Sequence, residues 1–434
     1  MVQQQDGNHE QLPPLNRDRS FWAMTVTQFL GAFNDNLFKQ MVFLLCVDLA
    51  LKDSTQDRQG IALIIFSVPF ILFSGFGGFL SDRYRKQSII VLCKVVEIVV
   101  MILGAVAFLS NSLNALLVVL FLMGTQSAFF GPAKYGILPE TVRDSDLPRA
   151  NGIILMTTFL AIIFGLTAAG ELKEAFGDRL WIASATCVII AVIGTLTSLW
   201  IRQTPIAQPG IRFQISALAV NPETRRLLRA DRQLLTVLFV LSVFWLVGGV
   251  VYPLAINDLG KLQLKLGDAK TGRLAACTGI GIAIGCVLAG RLSRHRINAR
   301  VIRIGIWGMC AALLLLALPE SLPGHNVLEV PPRTLLGTYG AAVALVAVGI
   351  FAGFFTVPLQ ALLQFKAPEE QKGRIIGTMN LFNWIGIALA GVFYQAMNLL
   401  FASINAPPNM MFGAAAFLLL PLAIFYRPKD VTLS

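Results

Sequence analysis

Residues 61–73 read IALIIFSVPFILF, an apolar run with no charged residue and no alternation of polar and apolar positions. The strands of a membrane barrel alternate polar and apolar positions. A membrane-spanning helix is instead a continuous stretch of about 20 apolar residues. Similar runs recur along the 434-residue chain, which is 56% hydrophobic and 14% charged. Soluble domains carry about 25% charged residues. The sequence therefore predicts an all-α membrane protein.

About twelve such runs are separated by polar loops, which predicts twelve transmembrane helices in two halves of six. The predicted spans lie near 21–50, 60–80, 88–109, 113–132, 149–171, 180–201, 233–256, 271–290, 300–318, 335–360, 374–398 and 409–426. The resulting domains are an N-terminal tail (1–20), a first half (21–201), a linker (202–231), a second half (232–427) and a C-terminal tail (428–434).

The positive residues indicate an orientation. Of the 35 Lys and Arg, 24 fall in the tails and loops on the side of the termini and nine in the opposite loops, while Lys39 and Lys94 lie inside spans. Cytoplasmic loops carry the excess of Lys and Arg, so we expect both termini in the cytoplasm. This placement also accounts for the net charge of +11 without a nucleic-acid partner.

The two halves share a repeat. Four residues recur at a constant offset of 225 positions: Phe129, Phe130, Arg149 and Gly152 reappear as Phe354, Phe355, Arg374 and Gly377. In each copy a proline, Pro132 or Pro358, is expected to end the preceding helix. Duplicated six-helix units are typical of transporters, which bind substrate between the repeats.

Polar residues interrupt the first span near its middle, at Asn34, Asp35, Asn36 and Lys39. A charge at the bilayer centre costs roughly 2.5–3.5 kcal/mol on insertion scales, so such residues usually face a cavity and serve function. Asp35 and Lys39 are four residues apart and share a helix face. Two interpretations stay open: Asp35 lines a transport path, or it only forms a structural ion pair with Lys39.

Other polar and small residues favour structural roles. Lys94 and Glu97 in the third span are three residues apart, which favours an ion pair, and Asp48 lies near a span end where we expect it to be solvated. Small residues at a spacing of four predict close helix packing; they include Gly281 with Gly285 and Gly349 with Gly353.

The sequence offers no catalytic or metal-binding pattern. The six cysteines all fall in apolar runs without a CxxC pair, and the three histidines are scattered. We find no nucleophile with a neighbouring base and no phosphate-binding loop. We therefore expect no enzyme activity, no metal and no cofactor.

Residues 78–86 read GFLSDRYRK and fall in a predicted cytoplasmic loop after the second span. They resemble the loop motif of the major facilitator superfamily, which implies the major facilitator fold. The resemblance implies that Gly78 permits a close helix contact. It also implies a charge network that breaks and re-forms as the two halves rock, made by Asp82, Arg83, Arg85 and Lys86.

Three further segments look like the bacterial lysophospholipid transporters, a branch of that superfamily. They are residues 32–36 (AFNDN) in the first span, 131–140 (GPAKYGILPE) after the fourth and 150–152 (ANG) opening the fifth. The second segment is the most specific, because ten residues of mixed type rarely match by chance.

The resemblance implies that the chain flips lysophospholipids, chiefly lysophosphatidylethanolamine, to the inner leaflet of the bacterial cytoplasmic membrane. An acyltransferase/acyl-carrier-protein synthetase would reacylate them there. Because the chain stops at Ser434 directly after its last span, we expect that enzyme to be a separate protein. The other expected partners are the surrounding membrane lipids.

Carried over to this sequence, Asp35 matches the first-span acid of the family and would meet the headgroup amine. Lys134, next to Tyr135, would meet the phosphate or close a cytoplasmic gate. Asn34, Asn36, Lys39 and Tyr135 complete the candidate residues for substrate binding or gating. The seventh span, about 233–256, has no ionisable residue, so a headgroup partner expected there is missing.

Two alternatives remain open. A proton-coupled exporter of drugs or metabolites would share the fold, but residues 113–131 lack the arginine usual in the fourth span of drug/proton antiporters, and the fifth span lacks their Gly-Pro-x-x-Gly-Gly element. A sensor or scaffold without transport activity would usually carry an added soluble domain or a long tail, and this chain has neither.

Overall fold

The computed structural model describes residues 12–53, 56–143, 146–177, 179–206, 210, 222–292, 296–318, 335–366 and 372–432. Parts of the predicted tails and of the predicted linker lie outside these residues. Within them the fold is all-α apart from two paired strands of two residues each, and every predicted span coincides with a helix. The predicted fold class is confirmed.

The helices follow the order of the predicted spans, with one short helix added in the linker. They are α1 (Arg19–Asp53), α2 (Gln59–Arg83), α3 (Lys86–Leu109), α4 (Leu113–Thr141), α5 (Leu147–Phe176), α6 (Leu180–Ser198), the linker helix α7 (Pro222–Ala230), α8 (Arg232–Gly249), α9 (Asp268–Leu292), α10 (Ala299–Ala317), α11 (Gly337–Lys366), α12 (Lys372–Ser403) and α13 (Met410–Phe425). Strands β1 (Arg296–Ile297) and β2 (Val431–Thr432) pair antiparallel.

Ten helices in the described ranges are long and apolar enough to cross a membrane. The apolar helix α13 is shorter, at 16 residues. Helix α1 is 35 residues long but is not among the ten, and its middle carries Asn34, Asp35, Asn36 and Lys39. The least apolar of the long helices is therefore the one that holds the candidate site.

Two proline positions correct the sequence-based helix ends. Helix α4 continues through Pro132 to Thr141, and α11 continues through Pro358 to Lys366. The prediction that these prolines end their helices was wrong, because membrane helices tolerate proline where neighbouring groups satisfy the freed carbonyl. Shifted by 225 residues, the end of α4 coincides with the end of α11, which supports the duplication.

Helix α8 also runs further than its sequence predicts. Beyond Gly249 the backbone kinks at Tyr252, whose φ of −124° and ψ of 109° are not helical, and then continues through the α-helical segment Ile256–Asp258 and a π-helical turn at Leu259–Gln263. The predicted end near 256 excluded Asp258 and Lys261, which belong to this helical run. The prediction that the seventh span lacks ionisable residues is therefore wrong. π-helical turns occur frequently at functional sites.

The chain packs into two compact units, each of which combines separate segments. Unit 1 consists of Met1–Lys39, Val68–Gly165 and Phe176–Ala219, and unit 2 of Gln40–Ser67, Leu166–Ala175 and Val220–Ser434. Unit 2 therefore contains one end of α1, α2 and α5 together with helices of the second half. Inside unit 2, segments from both sequence halves pack against each other.

Close packing in unit 2 depends on glycines of α9 and α11. Gly281 and Gly285 lie against the α11 backbone at Val346 and Ile350, and an added Cβ at either position would overlap it. Gly353 on α11 meets the backbone of α9 in the same way. The predicted close approach of these small residues is confirmed.

Candidate substrate site and buried charge networks

Asp35, in the middle of the first span, contacts α4. Ser127 Oγ on α4 donates a hydrogen bond of 2.7 Å to Asp35 Oδ2. Lys39 interacts electrostatically with Asp35, and its Nζ donates to Asn36 Oδ1 at 3.1 Å. We call Asp35, Lys39 and Ser127 the Asp35 cluster. Asp35 Oδ1 is buried and has no hydrogen-bond partner among the described residues, so it remains able to accept a donor from a ligand.

A buried ion pair lies beside this cluster. Lys94 and Glu97 on α3 pair directly, with side chains only 2% and 1% exposed. Asn34 Nδ2 donates to Glu97 Oε1 at 2.9 Å and to the Cys187 carbonyl at 3.1 Å. Gly31 leaves room for the lysine, because an added Cβ would lie 2.8 Å from Lys94 Nζ. The predicted structural pair is confirmed, and Asn34 supports it.

Lys134 belongs to a separate polar group. Its Nζ donates to Gln28 Oε1 at 3.2 Å and lies 4.9 Å from the ring centre of its neighbour Tyr135. Gln28 Oε1 also accepts from Thr158 at 2.9 Å. Gln28 is seven residues before Asp35, about 10 Å along the helix at 1.5 Å per residue. Lys134 and Asp35 are therefore held by different partners, and the role of Lys134 in phosphate binding or gating stays a prediction.

The loop motif makes its close helix contact one residue earlier than its sequence predicts. An added Cβ at Gly77 would lie 3.0 Å from the Ala128 carbonyl oxygen, whereas one at Gly78 would meet nothing within 4 Å. The prediction for Gly78 is wrong, because the side of α2 that faces α4 carries Gly77. Arg83 lies over the ring of Phe79, 5.9 Å from its centre.

Charged residues of the same motif contact α4 and the segment after α6. Lys86 forms an ion pair with Glu140 at the end of α4, and Arg85 Nη1 donates to Gln203 Oε1 at 2.9 Å. Asp82 is within electrostatic range of Lys86 and Glu140. These contacts all lie inside unit 1. The breaking and re-forming of the network during transport stays a prediction.

Unit 2 contains a four-residue ion-pair network that we call the charge bridge, made of Asp48, Lys173, Lys261 and Asp268. Each lysine contacts both aspartates; the distance to Asp268 is 2.6 Å from either Nζ. Asp48 lies on α1 and Lys173 on α5, while the other two residues come from the second half. Asp48 is 37% exposed, so it is partly solvated as expected, and it also has two cationic partners.

A second network in unit 2, which we call the carboxyl network, consists of Asp57, Gln59, Asp258 and Tyr394. The Tyr394 hydroxyl lies 2.6 Å from Asp258 Oδ2 and also hydrogen-bonds Asp57 Oδ2. Gln59 Nε2 lies 2.7 Å from Asp57 Oδ2 and 3.1 Å from Asp258 Oδ1. All four side chains are buried. Burial raises the pKa of Asp57, in the loop before α2, above its usual value.

The structure thus adds several residues to the sequence-based site. It places Ser127 against Asp35, and it reveals Asp57, Asp258 and Tyr394, which no motif marks. One signal was present for Asp258, because it lies two residues after the apolar run 250–256. Among the described residues, no group of three His, Cys, Asp or Glu is arranged to hold a metal.

Solved transporters share this architecture at low sequence identity. A structure of the nucleoside transporter NupG superposes with a TM-score of 0.68 at 12% identity, covering 92% of this chain and 98% of that one. The xylose transporter XylE from E. coli, in an inward open conformation, gives 0.67 at 12% identity, covering 95% and 97%. These similarities show the fold.

Curated relatives share more of the sequence. The lysophospholipid transporter LplT of Klebsiella pneumoniae is 27% identical over 404 residues, which cover 90% of this chain and 92% of the relative. LplT of Yersinia pestis is 27% identical over 395 residues, covering 90% and 88%. The model of the Major Facilitator Superfamily matches residues 24–391. The chain therefore belongs to the Major Facilitator Superfamily, and within it is similar to the bacterial lysophospholipid transporters.

Proposed function

We propose that this protein flips lysophospholipids resembling lysophosphatidylethanolamine to the inner leaflet of the bacterial inner membrane. The observation that carries the proposal is the Asp35 cluster, where a buried carboxylate oxygen has no hydrogen-bond partner in the described part of the chain and lies about one helical turn from a lysine. Similarity to the lysophospholipid transporters supports the same substrate class.

The headgroup of lysophosphatidylethanolamine carries an ammonium and a phosphate separated by a few bonds. Asp35 Oδ1 would accept from the ammonium, and Lys39, four residues or about 6 Å further along the helix axis, would attract the phosphate. Charge-assisted hydrogen bonds of this kind are about twice as strong as neutral ones. The two interpretations of Asp35 then combine, because Lys39 serves both as its electrostatic partner and as a second contact for the headgroup.

The proposal includes the orientation of the protein in the membrane and a partner enzyme. Both termini would lie in the cytoplasm, and a separate acyltransferase/acyl-carrier-protein synthetase would consume the delivered lipid. A C-terminal green fluorescent protein fusion should fluoresce, and an alkaline phosphatase fusion at the same position should be inactive. The opposite pattern would contradict the orientation.

Uptake of labelled lysophosphatidylethanolamine tests the function. Spheroplasts that lack their own lysophospholipid transporter should take up the lipid when they contain the wild-type protein, and Asp35→Asn should reduce the initial rate at least tenfold. A tenfold loss corresponds to about 1.4 kcal/mol, close to the lower end of the range of about 1.5–3 kcal/mol for a hydrogen bond to a charged group. Glu171→Gln is the matched control, because Glu171 is 43% exposed and pairs with the exposed Arg273.

A headgroup series separates the proposal from its alternatives. Lysophosphatidylglycerol lacks the ammonium, so its uptake should be slower than that of lysophosphatidylethanolamine, and Asp35→Asn should reduce this difference. Absence of lysophospholipid uptake, from protein shown to be in the membrane, would reject the lipid assignment. Efflux of dyes or metabolites by the same cells would then favour the proton-coupled exporter.

A further inference from the structure

The carboxyl network has more acceptors than donors if both of its acids are ionised. A tyrosine hydroxyl has one hydrogen, and an ionised carboxylate can only accept. The Tyr394 oxygen is nevertheless within hydrogen-bond distance of Asp57 Oδ2 and of Asp258 Oδ2. One of these two contacts therefore lacks a hydrogen when both acids carry a charge.

A single added proton completes the hydrogen bonding. A protonated carboxyl becomes a donor, so one aspartic acid donates to the Tyr394 oxygen while the hydroxyl hydrogen goes to the other aspartate. Gln59 Nε2 then donates its two hydrogens to the network, and its Oε1 accepts from Asn257 Nδ2 at 2.7 Å.

The charges around the network also favour protonation of one of its two acids. Neither acid forms an ion pair with a lysine or arginine in the described part of the chain, and the charge that acts on Asp258 is that of Asp57. Two buried carboxylates that share one tyrosine hydroxyl repel each other when both are charged, which disfavours ionisation of both. The charged or titratable groups nearby have other surroundings: Arg58 and Lys52 are exposed, the Cys46 thiol is buried, and Lys261 is paired with Asp48 and Asp268.

The two acids come from different sequence halves. Asp57 lies in the loop between α1 and α2, whereas Asp258 ends the short α-helical segment Ile256–Asp258 after α8, and Tyr394 lies on α12. We propose that Asp57 and Asp258 share one proton while this contact between the halves is formed, and that loss of the proton weakens the contact. The network is thus a proton-binding latch.

The sign of the pH dependence follows from linkage. The raised pKa of Asp57 means that the closed contact binds the proton more tightly than the separated halves do. Low pH therefore stabilises the contact, and this stabilisation is lost as the pH rises through the pKa of the closed form. For one proton, the ratio of closed to open contact falls up to tenfold per pH unit between the two pKa values.

Infrared spectroscopy of the purified full-length protein detects the proton directly. A protonated carboxyl has a C=O stretch that a carboxylate lacks, and an ordinary Asp of pKa about 3.9 is ionised at neutral pH. We expect a carboxylic-acid band near pH 6 that Asp57→Asn and Asp258→Asn each reduce and that Glu171→Gln, a change at an exposed acid, leaves in place. A band that persists at full intensity in both network variants, or no band in the wild type, would overturn the proposal.

Distances between spin labels measure the contact itself. Labels at the exposed positions Leu51 on α1 and Leu399 on α12 measure the distance between these two helices. The helices come from different sequence halves, and both labelled positions belong to unit 2. The short-distance population should fall as the pH rises from 5 to 9 in the wild type. It should not depend on pH in Asp258→Asn, because an amide resembles the protonated acid but has no proton to lose. A wild-type population independent of pH would reject the latch, and neither experiment involves a lysophospholipid, so the proposed function is tested separately.

Discussion

Unit 1 and unit 2 both bury acidic side chains, but they neutralise them differently. Glu97 in unit 1 pairs with Lys94 in a site that is almost completely closed to solvent. Asp57 and Asp258 in unit 2 face each other through Tyr394 without a described cation between them. Acid-to-amide substitutions should therefore destabilise unit 1 at Glu97 but should be nearly neutral in unit 2 at Asp57 or Asp258. Replacing the paired carboxylate of Glu97 leaves the buried Lys94 without its anion, whereas a protonated acid is replaced by a group of nearly the same shape and charge.

The largest expected effect comes from breaking the Lys94–Glu97 pair. Lys94→Met leaves Glu97 buried without its cation, which costs about 3–5 kcal/mol in comparable sites. We expect a strongly lowered thermal unfolding midpoint, measured by tryptophan fluorescence in detergent. Asn34, which donates to Glu97 Oε1 at 2.9 Å, supplies a dipole but no compensating charge.

The double variant Lys94→Met/Glu97→Gln is the control for this prediction. Removing both charges should recover most of the lost stability, because replacing a buried ion pair by neutral groups is often close to neutral. If Lys94→Met alone had no effect, the pair would not govern the stability of unit 1, and the contrast with the carboxyl network would fail.

The charge bridge should respond less strongly. Lys173→Met leaves Asp48 and Asp268 with Lys261 as their remaining cation, and Asp48 is 37% exposed, so water compensates part of the loss. We expect a cost of about 1–3 kcal/mol, typical of a buried polar group that loses its partner. Combining Lys173→Met with Asp268→Asn should cost less than the sum of the single changes. Additive effects would mean that the four residues do not act as one network.

The sequence predicts the helices well but the networks only in part. Apolar runs fix the helices because a membrane span must satisfy its own backbone, and Asp35 is visible because a charge interrupts such a run. The ends of α4 and α11 were misplaced, since proline does not stop a helix whose neighbours satisfy its carbonyl. Gln59 and Tyr394 are 335 residues apart. Only the tertiary packing of the two halves brings them together, and no local pattern encodes that pairing.

Asp258→Asn should change the stability only slightly, which tests the contrast between the two units. If the acid already shares a proton, the amide should leave the unfolding midpoint near pH 6 almost unchanged, in contrast to Lys94→Met. The difference between wild type and variant should appear as the pH rises, because only the wild type can lose the proton. Midpoints measured from pH 5 to 9 check this. A large loss of stability at pH 6 would indicate that Asp258 is needed as a charged carboxylate.

Arg273→Gln should change the stability least of these substitutions, because it removes an exposed ion pair. Its Nε donates to Glu171 at 2.7 Å, but the two side chains are 64% and 43% exposed. Water solvates both charges before and after the change, and exposed ion pairs often contribute nothing measurable. We expect an unfolding midpoint within experimental error of the wild type at every pH. A clear destabilisation would show that exposure does not separate weak from strong ion pairs in this protein, and burial would then no longer explain why Lys94 matters more than Arg273.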